Sequence, residues 1–64
     1  MELERVRPAV FRATFHTYEL AALIAAARYV AQTAPEDVPE ESLAQLRRLL
    51  EVYDRRVRDL APPA

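Results

Sequence analysis

The chain has 64 residues, 52% of them apolar, a formal charge of −1 and an isoelectric point near 5.7. So short a chain is one domain at most and hides only about 60% of the area that its unfolded form exposes, which leaves a thin core. With no Cys, no Gly and a single His, it has no disulfide staple, no Gly-rich phosphate loop and too few ligands for a zinc or iron cage, so oligomerisation remains as the way to tip its stability balance.

The first seven residues are read as a candidate flexible N-terminus of a single small domain spanning 1–64. Residues 9–17 admit two readings. As a helix beginning at Pro8, Phe11, Phe15 and Tyr18 run on into the stripe Ala22, Ala25, Tyr29, giving one long helix over 8–33. As a strand, Phe11, Ala13 and Phe15 face inward while Arg12, Thr14 and His16 face out, in keeping with the Val, Phe and Thr content. The helical reading is preferred, because a lone strand needs a partner strand from another chain.

From Tyr18 to Thr33 a helix is expected in either case, with Thr17 as N-cap, Glu19 in its first turn, and Ala34 pushed out of helical geometry by Pro35. It carries two apolar stripes, Leu20, Leu23, Ala27, Val30 and Ala22, Ala25, Tyr29, of which a single partner helix can cover one. The connection Ala34 to Asp37 is short and acidic, and it has to turn without a glycine. The second helix is expected from about Val38, opened by a capping box of Asp37 with Glu40. Its seam is Leu43, Leu46, Leu50, Tyr53, Val57 and Leu60, widened by Leu49 and Val52. Glu51 with Arg55 and Asp54 with Arg58 have the spacing of helix ion pairs, and Pro62 and Pro63 end the element before a flexible C-terminus at 61–64.

The expected fold is therefore all-α: an antiparallel hairpin of a long helix one and a helix two, self-associating into a helical bundle. The alternative is an N-terminal β-strand plus two helices. The run Thr17-Tyr18-Glu19-Leu20-Ala21-Ala22-Leu23-Ile24-Ala25-Ala26-Ala27-Arg28-Tyr29, followed by a Leu/Arg helix, resembles short reading frames of phages, prophages and plasmids of high-GC bacteria. The resemblance covers about half the chain, implies a mobile-element accessory protein and assigns no functional residue. In the strand reading, the order strand, helix, helix is similar to ribbon-helix-helix repressors, which implies that outward strand residues of a dimeric ribbon would enter the DNA major groove. The chain departs from that pattern in lacking a glycine between the helices and a basic balance.

No catalytic residue is expected. Ser42 has no base near it in sequence, and His16 with Glu19 lacks the further ligands a metal needs. The interface toward a second copy of the chain is expected at Phe11, Phe15, Tyr18, Ala22, Ala25 and Tyr29. Arg12, His16, Arg28 and Tyr29 are the candidates for gripping an anionic or nucleotide-like ligand between protomers by charge-assisted bonds and stacking. The arginines of the second helix, Arg47, Arg48, Arg55, Arg56 and Arg58, are interleaved with Glu51, Asp54 and Asp59 and read as a solvated face. No cofactor is implied. The expected activity is that of a homo-oligomeric binding protein in the cytoplasm, inhibiting or adapting a host or phage protein. A DNA-binding repressor and a small-ligand sponge are the alternatives. The longest apolar run, Leu20 to Ala27, falls far short of the roughly 20 residues that span a bilayer, so no membrane partner is expected.

Overall fold

The computed structural model describes residues 1–60 and 62. Its elements follow in the order β1 (Glu2–Arg7), β2 (Val10–Thr14), α1 (Thr17–Thr33) and α2 (Glu40–Asp59). The all-α expectation is thus overturned, and the alternative of an N-terminal strand followed by two helices matches the order from β2 onward.

The stretch read as the start of a long helix is β2, and its partner is β1 of the same chain rather than a strand from another. Pro8 is compatible with both, and the pairing with β1 decides for the strand. The same fixed φ that suits the first position of a helix here serves the second position of the turn Arg7-Pro8-Ala9-Val10, with β-branched and aromatic residues following. Arg5 Nη1 donates to the Pro8 carbonyl at 2.6 Å and ties the turn to β1. The strands run antiparallel with Glu2 opposite Thr14, Leu3 opposite Ala13, Glu4 opposite Arg12 and Arg5 opposite Phe11, and an irregularity between Arg5 and Arg7 places Val6 in a bulge. Opposed residues share a face. Leu3, Arg5, Phe11 and Ala13 therefore lie on one side, and Glu2, Glu4, Arg12 and Thr14 on the other.

His16, not Thr17, is the N-cap of α1, with extended backbone (φ −72°, ψ 155°). Its N–H donates to Glu19 Oε1 at 2.9 Å, the N3 side chain reaching back in the manner of a capping box. The helix ends at Ala34, which adopts the left-handed conformation (φ 45°, ψ 61°) and donates its N–H to the Val30 carbonyl at 3.0 Å. An alanine thus fills the position where glycine is ordinarily found. A turn follows in which Val38 N–H reaches the Pro35 carbonyl at 3.0 Å. This turn consumes Asp37 and Val38, so α2 begins two residues later than expected, capped by Pro39, and the anticipated capping box of Asp37 with Glu40 does not set its start.

Ala31 meets Arg47 and Arg28 meets Asp54, so the two helices run antiparallel. Leu43 (4% exposed) and Leu50 (8%) are the only buried hydrophobic residues among those described. Leu46 and Tyr53 continue that seam half-buried, against half-buried Leu20, Ile24, Ala27 and Ala31 of α1, while Val57 and Leu60 are exposed. No strand packs against either helix, and every residue of β1 and β2 is exposed on both faces. The ribbon is joined to the helical pair by the backbone through residues 15–16 and by an ion pair at 2.9 Å between the Met1 amino group and Glu19 Oε2.

The shape records how little surface the fold hides. The surface is 5877 Å², against roughly 4,200 Å² for a compact protein of this mass. The radius of gyration is 13.8 Å, against about 11 Å for a compact chain of this length.

Candidate functional site

The residues expected at an interface fall into two groups. Tyr18, Ala22, Ala25 and Tyr29 lie at spacings of four, three and four on α1, away from α2. Tyr18 (73% exposed) and Tyr29 (67%) bracket two exposed alanines. Phe11 is not on that helical stripe. It sits on β2, where the Arg5 guanidinium lies over its ring at 4.5 Å from the centroid, a contact that shields one face of an otherwise exposed aromatic. Phe15, half-buried, occupies the link between β2 and α1. The expected continuous surface is thus divided between a ribbon and a helix.

The four ligand candidates do not converge within one protomer. Arg12 projects from the polar face of the ribbon, 3.8 Å from Glu4 Oε2. His16 caps α1 and stacks its ring nearly parallel to Tyr18, centroids 6.0 Å apart. Tyr29 stands on the outer face of α1. Arg28 is turned inward across the helix pair, donating from both Nη1 and Nη2 to the two carboxylate oxygens of Asp54. Planar guanidinium and carboxylate match in this bidentate geometry, and Asp54 is engaged with Arg28 rather than with Arg58 one turn away. The hydrogen bonds from Arg28 hold the Asp54 carboxyl below its ordinary range, and the same bonds push the guanidinium of Arg28 up. Beside this pair Arg47 donates to the Ala31 carbonyl at 3.1 Å. The shallow groove that these residues line, floored by Leu50, therefore presents cations already engaged by the protein.

Glu19 is the electrostatic joint between ribbon and helices. The backbone N–H of His16 is the first cause of its lowered pKa, and the Met1 amino group the second. Among the described residues no group of three His, Cys, Asp or Glu is placed to hold a metal ion, and no helix is long and apolar enough to cross a membrane.

β1 falls within the stretch expected to be a flexible N-terminus. Its signal lay in the alternation around Leu3 and in the two-residue link Pro8-Ala9 between two runs of extended character. Leu3, Arg5 and Val6 join Phe11 and Val10 as exposed ribbon residues as a result. The chain matches no family model, no curated protein and no solved structure.

Proposed function

We propose that this chain is a non-catalytic binding protein that works as a homo-oligomer, in the manner of a mobile-element accessory protein acting on a protein partner in the cytoplasm. The observation that carries the reading is the surplus of uncovered apolar surface. Roughly 1,700 Å² of total surface, polar and apolar together, lies beyond what a compact chain of this mass exposes, and large apolar side chains such as Leu3, Phe11, Leu49 and Leu60 are part of what is left open, while a standard interface takes about 800 Å² from each partner. One copy can be covered by another and still keep a face for a target. Tyr and Arg, both enriched at protein interfaces, mark that remaining surface at Tyr18, Tyr29 and Arg12. Sedimentation or light scattering at micromolar concentration tests this reading. A dimer or higher species is expected, and a folded 7.3 kDa monomer overturns it.

A second reading, a ribbon-type DNA-binding repressor, is favoured by the order of the elements. Residues 10–14 form a strand directly ahead of two helices, on a two-stranded ribbon that stands free of them. A two-stranded ribbon has the width to enter a major groove, and Arg5, Arg7 and Arg12 give this one a single excess positive charge over Glu2 and Glu4. The left-handed Ala34 also supplies the inter-helix geometry for which a glycine was missing. Fluorescence anisotropy on duplex DNA at two salt concentrations distinguishes the readings. Binding that weakens steeply as salt rises favours the repressor, and an unchanged signal at low salt removes it.

A further inference from the structure

We propose that two copies of the chain join through the outer edge of β2, antiparallel and with Ala13 opposite the partner's Ala13, to make one four-stranded sheet in the order β1-β2-β2-β1. The inference rests on the self-association reading and names the surface that performs it.

A two-stranded ribbon has two free edges, and the residues on them differ. In a two-fold antiparallel pairing of a strand with its own copy, directly opposite residues must share a face, so one residue always sits opposite itself and the others are matched symmetrically about it. β1 reads Glu2-Leu3-Glu4-Arg5-Val6-Arg7. Centred on Leu3, Glu2 opposes Glu4 of the copy; centred on Glu4 or Arg5, like charges meet directly; centred on Val6, Arg5 opposes Arg7. Every register brings like charges face to face, which destabilises a pair. The bulge at Val6 further disturbs this edge. Charge and bulge together are how an exposed edge is kept from pairing.

β2 has neither defence. Val10-Phe11-Arg12-Ala13-Thr14 carries one charge and no bulge. Centring on Arg12 is excluded by repulsion, and centring on Phe11 runs at once into the turn at Pro8 and Ala9. Centred on Ala13, Arg12 opposes the partner's Thr14 and Phe11 opposes the partner's Phe15, with no like charges matched. The extended backbone of His16 lets the strand continue through Phe15 to the helix cap. One face of the resulting sheet gathers Leu3, Phe11, Ala13 and Phe15 from each copy, with Arg5 lying over the Phe11 ring, which gives exposed Phe11 and half-buried Phe15 a shared apolar layer. It also supplies the third and fourth strands that an isolated two-stranded ribbon needs for stability.

The absence of native cysteine allows a register-specific test on the full chain. Directly opposed Cα atoms lie about 4.5–5.5 Å apart, within disulfide reach, whereas the same residue displaced by two positions is beyond about 8 Å. Under mild oxidation Ala13→Cys is expected to cross-link to itself in most of the protein. Arg12→Cys and Thr14→Cys are each expected to remain uncross-linked alone and to cross-link to one another when mixed. An Ala13→Cys chain that stays uncross-linked, or equal cross-linking at all three positions, overturns the pairing while a wild-type dimer by sedimentation leaves the self-association reading standing. A wild-type monomer overturns both.

Discussion

Ala34 is the residue where backbone geometry makes the sharpest demand on this chain. Its φ of 45° and ψ of 61° lie in the left-handed region, which costs an L-residue with a Cβ roughly 1–2 kcal/mol. Replacing it with glycine removes that cost and adds back about 0.4–1 kcal/mol through the looser unfolded chain. Ala34→Gly is therefore expected to stabilise the protein by about 0.5–1 kcal/mol, raising Tm by about 2–8 °C in a domain this small. The same substitution at Ala44, exposed within α2, gains no relief and should cost about 0.5–1 kcal/mol. Urea unfolding followed by far-ultraviolet circular dichroism reads both, at one fixed protein concentration because association contributes to apparent stability. Opposite signs for the two variants are the expected result. Equal destabilisation would refute the assignment of Ala34 as a strained helix terminus.

Leu43→Ala removes one of the two buried leucines and is expected to cost about 2–4 kcal/mol, enough to unfold much of the population. Leu49→Ala, at a position 66% exposed within the protomer, should leave the unfolding midpoint of a dilute sample within about 0.5 kcal/mol of wild type; a loss matching that of Leu43→Ala would show the seam to be misplaced. Acid sensitivity follows from Asp54 and Glu19. Both carboxyls are held below their ordinary values by donors that the unfolded chain lacks. Their contribution is present above the usual carboxylate range and is lost as pH falls through the lowered folded values. Stability should accordingly drop below about pH 4, and the gap between wild type and Asp54→Asn in urea titrations should narrow there, an unchanged gap arguing against the pair.

Some of this molecule was legible because the information is local. The two helices and the turn at Pro35 follow from 3.6-residue periodicity, a first-turn glutamate and the restriction on the residue before proline, all of which act within a few positions. The seam residues Leu43 and Leu50 followed from the same pattern. Stretch 9–17 was a different case, since its local preferences conflict. Phe11, Phe15 and Tyr18 fit a helical stripe as well as Phe11, Ala13 and Phe15 fit a strand face. Only the pairing of Val10–Thr14 with Glu2–Arg7 resolves it, because a strand is stabilised by backbone partners that periodicity cannot reveal.

The candidate ligand residues show the same division. Arg12, His16, Arg28 and Tyr29 were singled out by type and spacing, and type alone does not say whether a guanidinium is free. Arg28 is committed to Asp54, 26 residues away along the chain, by an antiparallel helix contact. By itself the sequence determined that this chain is rich in apolar residues, that it would place two helices side by side, and that it holds neither cysteine nor glycine. What the tertiary structure decided was where the uncovered surface goes: onto a ribbon standing clear of the helices, onto the outer face of α1, and onto Leu49, Val52, Val57 and Leu60 along and at the end of α2. The reason is that burial and strand pairing are relations between distant residues, and a chain with two buried leucines settles them by geometry that its local preferences leave open.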